Sequence, residues 1–302
     1  MVFLRRGGQR SSLPATGPSR AAVVRALDHI TYELIPLKNV HDQAAFLPPG
    51  ATVSVTASPA KGLEATVELA ATLEEQGFRA IPHLSARMIR DRAHLRALLA
   101  RLADLGIDRA FVVGGDADEP GEYLDGLSLL RAIAELGNGP VHIGVPCYPQ
   151  GHPDIPDDAL LAALREKAPF AEYMATQLCF DHRAIAHFIA ARRAEGLTLG
   201  VKIGVPGVAE IPKLLTISAR IGVRDSGRFL SKNARFVGQL LTSGGIYRPT
   251  GLLEQLAPVL ADPAADVVGL HLYTFNQVES TEAWRGEYRA GLFPVEVART
   301  AS

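Results

Sequence analysis

Cysteine is scarce in this chain: of 302 residues, only Cys147 and Cys179 carry thiols. Two thiols so far apart make neither a disulfide framework nor a cysteine-rich metal site, and a reducing, cytoplasmic setting is expected. An excess of either charge is also missing. Lys and Arg number 31 against 32 Asp and Glu, for a formal net charge of -1. Such a balance leaves no electrostatic footprint for nucleic acid or an anionic membrane surface. No apolar run approaches the ~20 residues of a membrane span. Residues 1–20 hold Arg5, Arg6, Arg10 and Arg20 and no acid, and no apolar h-region follows them. A secretory signal is therefore not expected; the Arg- and Ser-rich make-up also fits an organellar transit peptide, and a disordered tail is the expectation over residues 1–20. Finally, no Gly-x-Gly-x-x-Gly follows a strand-like run, so a Rossmann phosphate turn is lacking.

What the chain does have is an ordinary globular composition, 47% hydrophobic and 21% charged, at a length that suits one large α/β domain or two smaller ones. Short apolar or β-branched runs at 30–35, 52–56, 79–83, 110–114, 141–145, 173–179, 199–204 and 267–273 read as strands. Patterns of helical period lie between them: Met88, Leu95, Leu98, Leu99 and Leu102 mark one face, and Ile185, Phe188 and Ile189 another. Gly77, Gly106, Gly137 and Gly196 each stop such a segment. The connection at 36–51 is helix-poor, whereas 205–266 can hold two or three helices. Eight strands with intervening helices, no fixed-period repeat and no Pro/Gly-rich linker predict a single-domain (β/α)8 TIM barrel over residues 21–302.

In such a barrel, function collects at the C-terminal strand ends. Glu33 stands out there, in an apolar run closed by Pro36. A carboxylate in that setting is costly unless paired, protonated or used. On a first barrel strand it points inward; on an edge strand it would face water. The later strand ends bring Thr56, His83, Gly114-Gly115-Asp116, the run from Cys147 to Pro153, Thr176-Gln177, and His271 to Asn276. His83, His152 and Asp116 fit no sequence-local metal motif, and the first strand lacks a His-x-His pair, so no metal site is expected.

With these residues in register, the chain resembles the methylenetetrahydrofolate reductase family, as a divergent member of the short type that consists of the catalytic barrel. The likeness is carried by Tyr32-Glu33-Leu34-Ile35-Pro36, Pro82-His83-Leu84, Gly115-Asp116 and Thr176-Gln177-Leu178-Cys179-Phe180-Asp181. Gly204-Val205-Pro206-Gly207-Val208 and Tyr273-Thr274-Phe275-Asn276 add to it. The resemblance implies a flavoprotein of one-carbon metabolism and methionine biosynthesis. Such an enzyme binds FAD, accepts hydride from NADH or NADPH, and reduces 5,10-methylenetetrahydrofolate to 5-methyltetrahydrofolate, commonly as a homo-oligomer.

Residue by residue, the resemblance makes Glu33 the general acid, a role that suits a carboxyl shielded from water. It places Asp116 near flavin and pterin, with a helix N-cap or Asx-turn as the other reading. Gln177 would meet the pterin edge or serve as a structural amide. Thr56, His83, Tyr148 and His152 correspond to flavin contacts, and Arg165 and Lys167 to the cations that hold its diphosphate. The triplet Arg165-Glu166-Lys167 also reads as a solvated helix face. Phe229 would stack on folate or nicotinamide, or fill a helix core. The chain departs from the family where Gly114 replaces an arginine, Leu37 a second proline, and where the loop 57–62 is short. These departures motivate a flavin-independent variant, and a folate-binding barrel without turnover is the reading from another class.

Overall fold

The computed structural model describes Ser12 and residues 17–220 and 245–293. The strands are β1 (Ile30–Leu34), β2 (Thr52–Val55), β3 (Arg79–Ser85), β4 (Arg109–Val113), β5 (His142–Cys147), β6 (Tyr173–Thr176), β7 (Gly200–Pro206), β8 (Ala209–Glu210), β9 (Ile246–Tyr247) and β10 (Val267–Tyr273). Strands β1 to β7 and β10 close into one all-parallel barrel, with β10 between β7 and β1. The remaining pair, β8 and β9, forms a separate antiparallel ribbon. All eight predicted barrel strands are present. The sixth is shorter than expected: Gln177 still donates its N–H to the carbonyl of Cys147 at 2.8 Å, and its Oε1 then accepts the N–H of Leu178 at 2.8 Å and turns the chain.

The helices in chain order are α1 (Pro18–Asp28), α2 (Val40–Ala44), α3 (Gly62–Glu75), α4 (Arg92–Asp104), α5 (Gly126–Leu136), α6 (Asp157–Lys167), α7 (His182–Ala194), α8 (Ile211–Arg220), α9 (Thr250–Ala261) and α10 (Val278–Gly291). Helix α1 starts before residue 21, so three residues assigned to the tail belong to the barrel. Pro18 sits in its first turn, where a missing N–H costs nothing, and the Arg20 guanidinium donates to the carbonyl of Leu292. Three helix starts follow from side-chain caps. Asp91 accepts from His94 N, Asp125 and Ser128 form a capping box, and Asp181 accepts from Arg183 N and Ala184 N.

Strand periodicity divides the two faces of the barrel. One set of alternate residues, including Val53, Leu84, Val112, Met174, Ile203 and Leu272, packs with the helices in the main apolar core. The alternate set, turned inward, is unusual: Glu33, Ser54, His83, Lys202 and His271 accompany a small apolar group of Ile81, Phe111, Tyr173 and Ala175. Barrel interiors are ordinarily filled by branched aliphatic residues. Glycine makes room for part of this filling, since a Cβ on Gly144 would overlap the ring of Tyr173.

Candidate active site

A cavity of about 1710 Å³ lies over the C-terminal strand ends and extends between α6 and α7. Glu33, Thr56, His83, Asp116, Tyr148, His152, Lys167 and Gln177 all line it. Arg165 does not, and Phe229 lies outside the described residues.

The floor is a hydrogen-bonded layer. Glu33 sits on β1 with its side chain 13% exposed, and its Oε2 lies 3.1 Å from Nε2 of His271 on β10. The edge-strand reading is thereby excluded. The group that meets Glu33 is thus a histidine from the adjacent strand. Beside this pair, Ser54 Oγ and His83 Nε2 are 2.6 Å apart. Burial pushes the imidazole of His83 down to about 4, so it is neutral at ordinary pH. Phe111 stands between the pairs, its ring centroid 4.9 Å from His83 and 6.0 Å from His271. Tyr273 closes the layer, donating to the carbonyl of Thr176 at 3.0 Å, and its phenol is pushed well up by burial with Glu33 adding to the effect.

The walls come from the loops. Tyr148 and His152 meet edge to face at 5.4 Å, and burial pushes the Tyr148 phenol up to about 12. Gly115 adopts φ +89° where a Cβ would overlap Ser85 Oγ, so this loop lies hard against β3 and carries Asp116 to the cavity. The helix-cap reading of Asp116 fails, because α5 is capped by Asp125. Gln177 keeps only part of its expected capacity: its carbonyl oxygen serves Leu178, leaving the NH2 group for a ligand.

Helix phase separates the two cations offered for a diphosphate. Residues two apart on an α-helix point to nearly opposite sides. Lys167 faces the cavity, has no ion pair among the described residues, and is held below the usual lysine range by burial. Arg165 instead reaches Glu195 at 2.9 Å and is more than half exposed. The expectation that both would act together is corrected on that ground.

Some motif residues are structural here. Tyr32 points away from the barrel interior and donates to Glu282 at 2.6 Å. Thr176 Oγ1 accepts the N–H of Gly204 at 2.8 Å, and Phe180 packs edge-on against Tyr247. Residues missed from the sequence are Ser54 and Ser85; His271 and Phe275 were named at the end of the last strand without a role. Ser54 lies within its strand rather than beyond its end, and only period-2 alternation could have flagged it. Phe275 lines the cavity with φ 52°, and Asn276 follows with φ 52°. Two successive non-glycine residues in that region cost about 1–3 kcal/mol each. Among the described residues, no group of three or more His, Cys, Asp or Glu could hold a metal ion.

A profile described as Methylenetetrahydrofolate reductase matches residues 37–224, more than half of the chain. Among solved structures, the chain is similar to a plant class V chitinase mutant from Cycas revoluta in complex with (GlcNAc)3. That likeness has 8% identity and TM-score 0.49, and covers 87% of this chain and 99% of the other. It is also similar to a complete multifunctional pyruvate carboxylase from Rhizobium etli, with 13% identity and TM-score 0.41, covering 97% of this chain and 30% of the other. Neither likeness extends to function.

Proposed function

Because the chain belongs to the methylenetetrahydrofolate reductase family, we propose that it reduces 5,10-methylenetetrahydrofolate to 5-methyltetrahydrofolate with NADH or NADPH as reductant and FAD as carrier. The reading includes a homo-oligomer in a reducing cytoplasmic setting. It is carried by one observation: a nearly buried carboxyl, Glu33, on the floor of a large cavity at the C-terminal face of the barrel.

The chemistry asks for an acid. The bridging methylene must open to an iminium before it accepts hydride, and opening requires a proton on the departing nitrogen. Glu33 supplies that proton. One of its oxygens is engaged by His271, and Oε1 makes no hydrogen bond among the described residues, leaving it for the substrate. Neutral His83 adds no competing positive charge to the floor. Gln177 offers its NH2 group, and Asp116 its carboxylate, to the donor and acceptor edge of a pterin. Phe111 supplies an apolar surface between the two floor pairs.

FAD finds matching residues in part. Lys167, which faces the cavity with no ion pair among the described residues, would hold the diphosphate, Tyr148 and His152 would lie along the cofactor, and Thr56, His83 and Asp116 would meet its ring end. When bound, FAD supplies a two-electron carrier between nicotinamide and the iminium carbon.

A second reading, direct hydride transfer from nicotinamide, is favoured by the charge of the walls. Helix N-termini ordinarily bind phosphate. Here α5 is capped by Asp125, and α6 carries Asp157 and Asp158 in its first turn. Arg87 is committed to the carbonyls of Ala117 and Asp118, and Arg192 to Glu195. Gly114 stands where the family resemblance would place an arginine. Lys167 alone is a thin hold for a resident dinucleotide, and suits a transient one better.

The test is a visible absorption spectrum of the purified protein, repeated with added FAD and then NADH or NADPH. A flavin band that bleaches with nicotinamide and recovers with methylenetetrahydrofolate supports the first reading. A colourless protein that retains no FAD yet oxidises nicotinamide with the folate supports the second. No turnover under either condition overturns both.

A further inference from the structure

We infer that His271, Thr274 and Asn276, at and just beyond the end of β10, are the positioning residues of Glu33. They fix its carboxyl, its carbonyl and the backbone of Ile35, two residues on. The inference rests on the acid role proposed for Glu33.

The ladder between β1 and β10 pairs Ile30 with Leu270 and ends at Glu33 opposite Tyr273. Beyond that point regular pairing stops, and Pro36, without an N–H, cannot resume it. Side chains take over. Thr274 Oγ1 donates to the carbonyl of Glu33 at 2.6 Å and accepts the N–H of Asn276 at 3.2 Å. Asn276 then imitates a peptide: its Oδ1 accepts the N–H of Ile35 at 2.9 Å, and its Nδ2 donates to the Ile35 carbonyl at 2.8 Å. The carboxyl itself is met by His271 Nε2. Glu33 is thus held at its carboxyl and its carbonyl, and the chain two residues on at Ile35, by one short segment 238 to 241 residues away in sequence.

The backbone of that segment is bent to do this. Phe275 and Asn276 both take φ 52°, a conformation that asparagine adopts readily and phenylalanine does not. Strain of this kind gathers where function over-determines the chain. The bend brings the Asn276 amide opposite Ile35 and sets Phe275 in the cavity wall, among Leu178, Phe180 and Tyr247 of a second apolar cluster. All three positioning residues are buried. His271 Nδ1 is buried and has no hydrogen-bond partner among the described residues, so the contact the ring makes here is the one to the Glu33 carboxyl.

The test is steady-state kinetics of methylenetetrahydrofolate reduction in Thr274→Val, Thr274→Ser, Asn276→Gly and His271→Gln, with Glu33→Gln in parallel. Asn276→Gly keeps the left-handed backbone and deletes both bonds to Ile35; Thr274→Ser keeps the hydroxyl. We expect kcat to fall ~100-fold in Thr274→Val and Asn276→Gly, the scale of a small displacement of a reacting group. KM for the folate should stay within about 3-fold, and Thr274→Ser should retain most of the wild-type kcat. His271→Gln, which keeps an N–H donor, should lie between. Should Thr274→Val fail to fold, Asn276→Gly carries the test. Wild-type kcat in folded Asn276→Gly, or losses that appear in KM and Tm with kcat intact, overturn the inference. A fully active Glu33→Gln removes the acid role itself, and the inference with it. A dead Glu33→Gln beside an unimpaired Asn276→Gly condemns the positioning role alone.

Discussion

Glu33 and Lys202 are both ionisable, both inside the same barrel, and on strands separated only by β10. Their circumstances differ. Lys202 donates to Thr31 Oγ1 at 3.0 Å and lies 4.0 Å from the centre of the Tyr173 ring, away from the cavity. Burial pulls its ammonium down to about 8. Glu33 lies on the cavity floor with one oxygen bonded and the other without a hydrogen bond among the described residues. Burial of charge therefore does not mark the site. The mark is a buried charge with hydrogen-bonding capacity left over and a cavity to spend it in. Arg165 and Lys167 repeat the contrast on one helix, the first satisfied by Glu195 and the second facing open space.

The comparison can be broken by substitution, most sharply at the two barrel charges. Glu33→Gln should lower kcat for folate reduction by ~10²–10⁴-fold, the range of a lost general acid, while Lys202→Met leaves it within about 2-fold. Comparable losses in both would erase the distinction. Next, Lys167→Ala should weaken dinucleotide binding by ~10-fold or more, as expected for a lost charge-assisted contact, whereas Arg165→Ala should change it less than about 2-fold. Titration calorimetry with FAD and with the nicotinamide decides this, and equal effects would return Arg165 to the cavity.

The smaller effects are on stability. The folded state holds Lys202 near 8 against 10.5 in the open chain. Below pH 8 both states are protonated and the burial penalty is fully present. Between pH 8 and 10.5 the unfolded chain binds more protons, so stability rises with pH. Lys202→Met should remove that rise and add on the order of 2 kcal/mol at pH 7, in line with neutral replacements of buried charge. Urea titrations at pH 7 and 10 measure it, and an unchanged slope would contradict it. His83 gives the smallest effect, because near pH 7 both states leave it largely neutral. Its folded value of about 4 lies below the usual 6.5, so stability drains away as pH falls from 6.5 towards 4. His83→Gln should flatten that acid slope without altering stability at pH 7.5.

The same contrast explains how much could be read from the chain. Strands announce themselves through apolar runs and glycine stops, so the barrel and the order of its strand ends were legible. So were Glu33, Asp116 and Lys167 as wall residues, because position at a strand end or on a helix decides most of what a cavity sees. Pairings across the barrel were not legible. His271 was named at its strand end, but it meets Glu33 from 238 residues away, and nothing local to either residue announces that pair. Lys202 carries no local signal of its burial. Arg165 was misplaced by treating a triplet as a patch when helix geometry splits it. In the run Thr176 to Asp181, Asp181 is a helix cap and Thr176 a strand bridge, so these two residues serve construction here.

Helix α6 has one further consequence. Leu164 is its only buried residue, against six in α3 and four in α7, and the cavity runs along its inner side. An element anchored so lightly opens at lower free energy than its neighbours, and its amides should exchange with solvent first. Whatever fills the space beneath it supplies the contacts the fold leaves out. Hydrogen-exchange protection of residues 157–167 is then a gauge of occupancy, reporting each ligand by how far it slows the opening of this one helix.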